Sequence, residues 1–218
     1  ALPSDFFTQI TAVSGITGLS YANWFGGYYQ DFKNQVVSFA IEPETYLKMF
    51  PEYHLPEEQK QAFYNTRTGV IVGETLAKKF GWKVGDKIPI TSAIWVKKSD
   101  GNANWTFDIV GIFDYDNNAA RSNLMMLHYD YFDEERAAAA HGTVGWFVIS
   151  IDDPKRAAQI GAAVDGLFAN SSNETNTQTE KENMQSFMKQ IGDINFIVST
   201  IIGAVFFTLL FLTGNTMM

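Results

Sequence analysis

Residues 69–90 read GVIVGETLAKKFGWKVGDKIPI, and they contain the signals of two strands and one short helix. An apolar run between two glycines opens this stretch, which is typical of a short buried strand. A short helix is predicted over Glu74–Phe80, because an acid begins it, lysines lie in its last turn and Gly81 follows at the C′ position. Residues 84–86 then form a tight turn into a second predicted strand at 87–90.

A β-rich region continues beyond this unit. Residues 94–96 and 105–113 are predicted to be strands, joined through the hairpin signal Ser99-Asp100-Gly101-Asn102. Together with the strands at 69–73 and 87–90, they predict a small β-rich unit that carries one short helix.

Strand and helix signals alternate on the N-terminal side of this unit. Alternating small polar and apolar residues predict a strand at 12–21, and an apolar run predicts another at 36–41. A proline in a first-turn position predicts one helix after Pro43, which ends at Pro51, and a second helix after Pro56.

The C-terminal side shows a similar alternation. Acids near the start, four consecutive alanines and a following glycine predict a helix over 130–141. A strand is predicted at 146–151, followed by a helix that Asp153 and Pro154 begin and that runs to about residue 168. The residues predicted to face inward on this last helix are Ala157, Ile160, Val164, Leu167 and Phe168.

The polar run 171–179 follows that helix. We predict a loop there, with an edge strand at 175–179 as the alternative, since its threonines favour strands. From Glu180 a helix without proline leads towards an apolar segment, and we expect it to act as a stalk. The apolar residues that recur on one side of this stalk are Met184, Phe187, Met188 and Ile191.

The apolar segment at 196–212 reads FIVSTIIGAVFFTLLFL and contains no charge. As a helix, its 17 residues would reach roughly 25 Å at about 1.5 Å per residue, close to the thickness of a bilayer core. A buried core helix is the alternative, but such a helix usually carries a polar stripe. We therefore predict that residues 196–218 contain the start of a transmembrane helix, and that residues 1–195 form a domain outside the membrane.

Composition excludes several classes of function. The net charge of −8 argues against nucleic acid as the main partner, because such a partner requires a basic surface. The absence of cysteine excludes disulfides, thiolate metal sites and cysteine nucleophiles.

Catalytic motifs are also missing from the sequence. His54, His128 and His141 have no metal-ligand spacing, and no Gly-x-Ser-x-Gly elbow or phosphate-binding loop occurs. The DYDNN run at 114–118 lacks the glycine and the distant glutamate of a calcium loop. Asp133-Glu134-Glu135 and Asp152-Asp153 are interpreted as helix-end and surface charges. We predict that the protein is not an enzyme and has no catalytic, metal or cofactor site.

An aromatic segment is the candidate interface. Trp24, Phe25, Tyr28 and Tyr29 flank the glycine pair Gly26-Gly27, which must turn the chain. Aromatic side chains grouped on a loop usually mark an interaction surface. The alternative is that they cover the core.

Residues 70–90 and the later FDIVGIF strand at 107–113 resemble the periplasmic core domain of MacB/FtsX-like ABC transporter permeases. The shared order is strand, short helix, GWKVGD turn and strand, followed later by the VGI strand. Trp24-Phe25-Gly26-Gly27 and the region from Tyr46 to residue 53 are similar to one branch of the family. The resemblance covers essentially the whole chain, including the apolar tail, which falls where the family's second transmembrane helix begins.

The resemblance implies an α+β fold. A porter-like α/β layer is built from both ends of the chain, and a β-rich, sabre-like subdomain is inserted into it. We accordingly divide the chain into a first porter-like part at 1–68, the insertion at 69–128, a second porter-like part with the stalk at 129–195, and the start of the transmembrane helix at 196–218. The same alternation of elements independently predicts that the N-terminal and C-terminal thirds pack together.

The implied function is to couple cytoplasmic ATP hydrolysis to export or to an extracytoplasmic partner, without catalysis by this domain. The resemblance places the permease in the bacterial inner membrane, with this domain on the periplasmic side. The implied partners are a cytoplasmic ABC ATPase, a second permease copy or paralogue, and a periplasmic adaptor protein. The alternative function is a membrane-anchored ligand-binding or sensor domain without an ATPase partner.

Overall fold

The computed structural model describes residues 2–116, 118–119, 121–183 and 202, which form a mixed α/β fold. Its strands are β1 Leu2–Pro3, β2 Ile16–Trp24, β3 Gly27–Tyr28, β4 Gln35–Val36, β5 Ser38–Ile41, β6 Tyr53–His54, β7 Gly69–Gly73, β8 Lys87–Ser92, β9 Asn104–Tyr115, β10 Met125–His128, β11 Thr143–Val144 and β12 Trp146–Ile151. Its α-helices are α1 Phe6–Thr11, α2 Pro43–Met49, α3 Glu57–Asn65, α4 Glu74–Phe80, α5 Tyr129–Glu135 and α6 Ala157–Phe168, and short 3-10 helices lie at Ala138–Ala140 and Pro154–Arg156.

One large sheet organises these elements, with the strand order β12-β2-β5-β10-β7-β9-β8-β3-β4 and with β6 paired to β9. The pairs β5–β10 and β7–β9 are parallel, and the others along this path are antiparallel. Every residue of β7 is buried, as expected for an apolar run in the interior of a sheet. The helix after it ends at Gly81 in the left-handed conformation, with φ 71°. The strand–helix prediction for residues 69–81 is confirmed.

A bent hairpin curls the sheet back on itself. The amides of Phe25 and Gly26 both donate to the carbonyl of Ser38, so two residues oppose one and form a β-bulge. Beyond the bulge the hairpin β2–β5 continues as β3–β4, and β3 also pairs with β8 at the far edge. The single strand predicted at 36–41 is therefore two short strands, which break at Val37.

The curled sheet encloses the largest apolar cluster. It contains Phe25, Val36, Ala40, Val70, Val72, Leu76, Ala77, Trp82, Ile88, Ile90, Trp105, Phe107, Ile109, Met125, Leu127, Tyr129, Phe132 and Val144. A second cluster lies beneath α2 and α3, where Tyr46, Leu47 and Phe63 pack against Ile71 and Phe113.

The N-terminal and C-terminal thirds pack together, as predicted. Strands β2 and β12 pair, and the Phe6 ring of α1 stacks on the Phe168 ring of α6 with centroids 3.8 Å apart. Ile160, Val164 and Phe168 of α6 are buried. The prediction that Leu167 faces inward is wrong, since it is 48% exposed.

Two local predictions are also wrong. Residues 94–96 are not a strand, because β8 ends at Ser92 and pairs directly with β9. The helix predicted over 130–141 ends at Glu135 instead. Arg136, the next residue, is fully buried. The helix ends before it because the chain must turn to bury this guanidinium, although the alanines that follow favour a helix.

Strands from the segment 69–128 join the same sheet as strands from both ends of the chain. The boundaries of the four proposed parts, 1–68, 69–128, 129–195 and 196–218, remain a prediction. The stalk residues Met184, Phe187, Met188 and Ile191, and the segment 196–212 apart from residue 202, lie outside the described residues. Within the described ranges, no helix combines the length and apolar character needed to cross a membrane.

Candidate functional site

The four aromatic residues predicted as an interface divide between the core and the surface. Phe25 is fully buried and lies edge-to-face with Trp105, Phe107 and Phe132, so its placement on an exposed patch is wrong. The reason is the bulge, which turns the Phe25 side chain into the curled sheet.

Tyr29 is half-buried, and its ring packs against Phe80 and Trp82. Tyr28 is half-buried beside Phe32, whose side chain is 68% exposed. Trp24 is 43% exposed. Trp24 and Tyr28 thus remain candidates for contact with a partner.

A row of aromatic rings extends from Trp24 across the sheet face. Its ring meets Phe39 edge-to-face at 5.3 Å, and Phe39 meets Trp146 at 5.6 Å. Phe39 and Trp146 were not candidates from the sequence, because each lies in a strand far along the chain. Only the strand pairings β2–β5 and β2–β12 bring them beside Trp24.

A shallow cleft of about 340 Å³ opens between α2, α3 and β6. His54 in its wall donates a hydrogen bond from Nε2 to the Asp116 carboxylate at 2.6 Å, and Nζ of Lys48 lies 3.8 Å from the Glu44 carboxylate. The lining residues are Leu47, Lys48, Pro51, Tyr53, His54, Leu55 and Lys60. These side chains offer cations to an anionic group, but acids already neutralise part of that charge.

In the part of the chain that the structure describes, no three histidine or acidic side chains form a group suited to a metal ion. His128 is held by a hydrogen bond of 2.6 Å to the Phe63 carbonyl, and burial lowers the pKa of its imidazole. This histidine therefore has a structural role.

Asp133 and Arg136 form a buried ion pair, so the interpretation of Asp133 as a surface charge is wrong. The Asp133 carboxylate accepts from Nε of Arg136 at 2.9 Å and from the Gly142 amide at 3.0 and 3.1 Å. No local sequence pattern indicates this buried pair, because an acid and an arginine three residues apart usually lie on a solvated helix face.

Aromatic groups complete the surroundings of Arg136. Its guanidinium lies 4.6 Å from the Phe132 ring and 5.3 Å from the Trp95 ring, in cation–π contact. The Tyr129 hydroxyl donates to the Thr143 carbonyl at 2.9 Å, and Arg136 donates to the same carbonyl. Burial, followed by the nearby Asp133 carboxylate, raises the pKa of Tyr129, which keeps its hydroxyl protonated as a donor.

This network holds the N-terminal end of the chain. Strand β1 pairs with β11, with Leu2 opposite Val144 and Pro3 opposite Thr143, and the Ser4 amide donates to the Gly142 carbonyl at 2.8 Å. We call β1, β11 and the Asp133–Arg136 pair the N-terminal attachment. Residues 2–4 are thus bonded to the segment 142–144, whose Thr143 carbonyl accepts a hydrogen bond from the fully buried Arg136 guanidinium.

A different arrangement holds the C-terminal end. Residues 171–179, which we call the strap, run beside α6 without pairing with any of the strands that the structure describes. The Asp165 carboxylate accepts from the Thr177 amide at 3.0 Å and from the hydroxyls of Thr175 and Thr177 at 2.8 Å. The strap lies so close to α6 that a Cβ on Gly161 would meet Thr177 Cγ2 at 3.3 Å.

A helix begins directly after the strap. The Glu182 carboxylate accepts from the amide and the hydroxyl of Thr179, both at 2.8 Å, and the Thr179 hydroxyl accepts from the Glu182 amide at 3.2 Å. This reciprocal pattern is a capping box. Glu180 then pairs with Arg121 at 3.0 Å, and Arg121 lies over the Tyr115 ring.

Comparisons with known proteins agree on one family and one fold. A family model described as "MacB-like periplasmic core domain" matches residues 3–167. The extracellular domain of the noncanonic ABC-type transporter YknZ from Gram-positive bacteria superimposes with a TM-score of 0.57 at 9% identity, covering 81% of this chain and 87% of that one. The periplasmic region of MacB from Actinobacillus actinomycetemcomitans gives a TM-score of 0.54 at 12% identity, covering 85% and 83%. A search of curated proteins found no significant match.

Proposed function

The chain belongs to the family of MacB-like periplasmic core domains of ABC transporter permeases, and we propose that it transmits movement from the membrane to the extracytoplasmic space. The energy for this movement comes from ATP hydrolysis by a cytoplasmic ATPase, which is the partner implied by membership of the ABC transporters. The domain itself binds and moves partners without catalysing a reaction.

The observation that carries this proposal is that specific contacts fasten both ends of the described chain to the body. The N-terminal end pairs with β11 and the C-terminal end is hydrogen-bonded to Asp165. Phe6 and Phe168 then join the helices next to the two ends. A displacement of either end is therefore delivered to packed elements for as long as these contacts are closed.

Membership of this permease family places the domain outside the inner membrane. We propose that residues 196–212 enter that membrane, so that the helix from Glu180 becomes a stalk. A protein ending at Asn195 should then be monodisperse without detergent, because an uncharged apolar run exposed to water causes association. Unfolding of that shortened protein would instead assign the segment to the core.

The partners proposed at the outer side are a second permease copy or paralogue and a periplasmic adaptor. The surface residues Trp24 and Tyr28 are our candidates for such contacts. Exposed aromatic side chains are enriched at interfaces because they bury a large area with little loss of entropy.

The experiment uses the full-length permease with its ATPase in proteoliposomes. Ser99 lies exposed in the loop between β8 and β9, and residues 1–218 contain no cysteine, so Ser99→Cys offers a single labelling position within this domain. Spin-label distances between two permease copies should change between the nucleotide-free and ATP–vanadate states.

A flexible Gly-Ser segment inserted after Gly192 serves as the matched variant. It should abolish the distance change while ATP turnover continues, because a flexible joint cannot transmit displacement. An unchanged distance in the original permease would favour the alternative, a ligand-binding or sensor domain. A change that survives the insertion would show that the stalk is only a tether.

A further inference from the structure

We propose that the strap at residues 171–179 is a releasable clasp, which opens during the transport cycle while the N-terminal attachment stays closed. Thr175 and Thr177 donate the hydrogen bonds that hold the strap closed, and the Asp165 carboxylate on α6 accepts them. The inference rests on the proposed function, because it assigns a moving part to the domain that transmits the movement.

The strap resembles a strand that lacks its neighbour. Its side chains alternate between partly buried and exposed positions, with Ser171, Asn173, Thr175 and Thr177 on the partly buried side. A strand ladder would bind such a segment through many backbone groups. Among the described residues, the strap's backbone bonds to the body through two amides: Ser171, which donates to the Phe168 carbonyl where α6 ends, and Thr177, which donates to a side-chain carboxylate.

Water can replace these bonds at little cost. The fastening groups on Thr175, Thr177 and Asp165 are all partly exposed, so opening the clasp exchanges protein hydrogen bonds for water hydrogen bonds. In contrast, opening the N-terminal attachment would expose the fully buried Arg136 and its ion-pair partner. The two ends of the domain therefore differ in the free energy needed to release them.

The helix after the strap does not depend on the clasp. The capping box between Thr179 and Glu182 begins this helix with bonds that lie entirely within it. Within residues 180–183, the described part of this helix, Glu180 forms an ion pair with Arg121 of the body, and the two side chains are 67% and 31% exposed. When the clasp opens, the start of the helix can move away without unwinding.

An engineered disulfide tests this directly. A Cβ built on Gly161 lies 3.5 Å from the Thr177 Cβ, within the range of about 3.5–4.5 Å that disulfides require. The clasp pair is therefore Gly161→Cys with Thr177→Cys. The control pair is Pro3→Cys with Thr143→Cys, which face each other across β1 and β11.

The measurement is the rate of disulfide formation under a mild oxidant in the full-length permease with its ATPase in proteoliposomes. With ATP and vanadate, the clasp pair should form its disulfide more slowly than without nucleotide, and the control pair should not change. Equal rates for the clasp pair in the two states would overturn the proposal, and so would an equal response of both pairs. If the Ser99 labels move while the clasp pair does not respond, the clasp is refuted and the proposed function stands.

Hydrogen exchange on the unsubstituted chain gives a second readout that needs no cysteine and no ATPase. The Thr177 amide should exchange through local opening, well before the protein unfolds. The Gly142 amide, which donates to Asp133, should exchange only near global unfolding. Exchange of Thr177 as slow as that of Gly142 would contradict the clasp even if the cysteine variants failed to fold.

Discussion

The two ends of this domain are held by the same kind of group in opposite environments. At each end an aspartate on a helix accepts hydrogen bonds from a neighbouring irregular segment: Asp133 from Gly142, and Asp165 from Thr177. Asp133 is 8% exposed and paired with the fully buried Arg136, whereas Asp165 is partly exposed and its hydrogen-bond donors are hydroxyl and amide groups. The difference shows that burial, rather than the number of hydrogen bonds, separates a permanent attachment from a releasable one.

The largest expected effect is the difference in lost stability when each of the two aspartates is replaced by alanine. Asp133→Ala leaves the Arg136 charge buried without its partner, and should lower the free energy of unfolding by about 3–5 kcal/mol. Asp165→Ala removes partly exposed bonds, and should cost about 1 kcal/mol. Urea denaturation of the two variants measures both values.

A double variant checks the cause of the larger loss. Asp133→Ala combined with Arg136→Met removes both buried charges and should recover part of the stability lost in Asp133→Ala alone. Equal losses from the two single alanine variants would remove the distinction between the attachments.

Removing the contact between Phe6 and Phe168, which joins the two ends, should have the next largest effect on stability. Phe168→Ala should lower the free energy of unfolding by about 3 kcal/mol, because the ring is buried and stacked on Phe6. Leu167→Ala, at the adjacent exposed position, should cost less than about 1 kcal/mol. Thermal unfolding of both variants measures the difference, and a similar loss from Leu167→Ala would place that residue in a contact.

Substitutions at two glycines of α6 test the stability of the helix and the closure of the strap separately. Gly166 has open space around it, so Gly166→Ala should stabilise the protein by up to about 1 kcal/mol through helix propensity. Gly161→Ala brings the same gain, but its methyl group pushes on Thr177. We expect a smaller gain in global stability and faster hydrogen exchange at Thr177. A net loss of stability without faster exchange would indicate a rigid strap.

The smallest expected effect concerns the helix start. Hydrogen bonds from the Thr179 amide and hydroxyl lower the pKa of Glu182. Because the folded pKa lies below the ordinary value, the capping contribution is present above the ordinary glutamate pKa and is lost as the pH falls through the folded pKa. In Thr179→Ala the pKa of Glu182 should rise towards its ordinary value. Titration of the carboxylate by NMR measures this shift, and an unchanged pKa would show that the hydroxyl contributes nothing.

Elements whose signals are local could be located from the amino-acid sequence. The strand at 69–73, the helix that ends at Gly81 and the helices that follow Pro43 and Pro56 lie where the sequence places them. Apolar runs, proline at a first-turn position and glycine at a C′ position act within a few residues of where they stand. The family resemblance was also carried by this unit, and the family match confirms it.

The environments of Phe25, Asp133 and Asp165 depend on contacts that exist only in the folded protein. A bulge against Ser38 turned Phe25 into the core, and the burial of Arg136 overrode the helix propensity of the alanines that follow it. The clasp joins Thr177 to Asp165, 12 positions earlier, and no local sequence pattern indicates that these two residues are bonded. In each case the deciding partner is distant along the chain, and the free energy that selects the conformation comes from burial and pairing that exist only after folding.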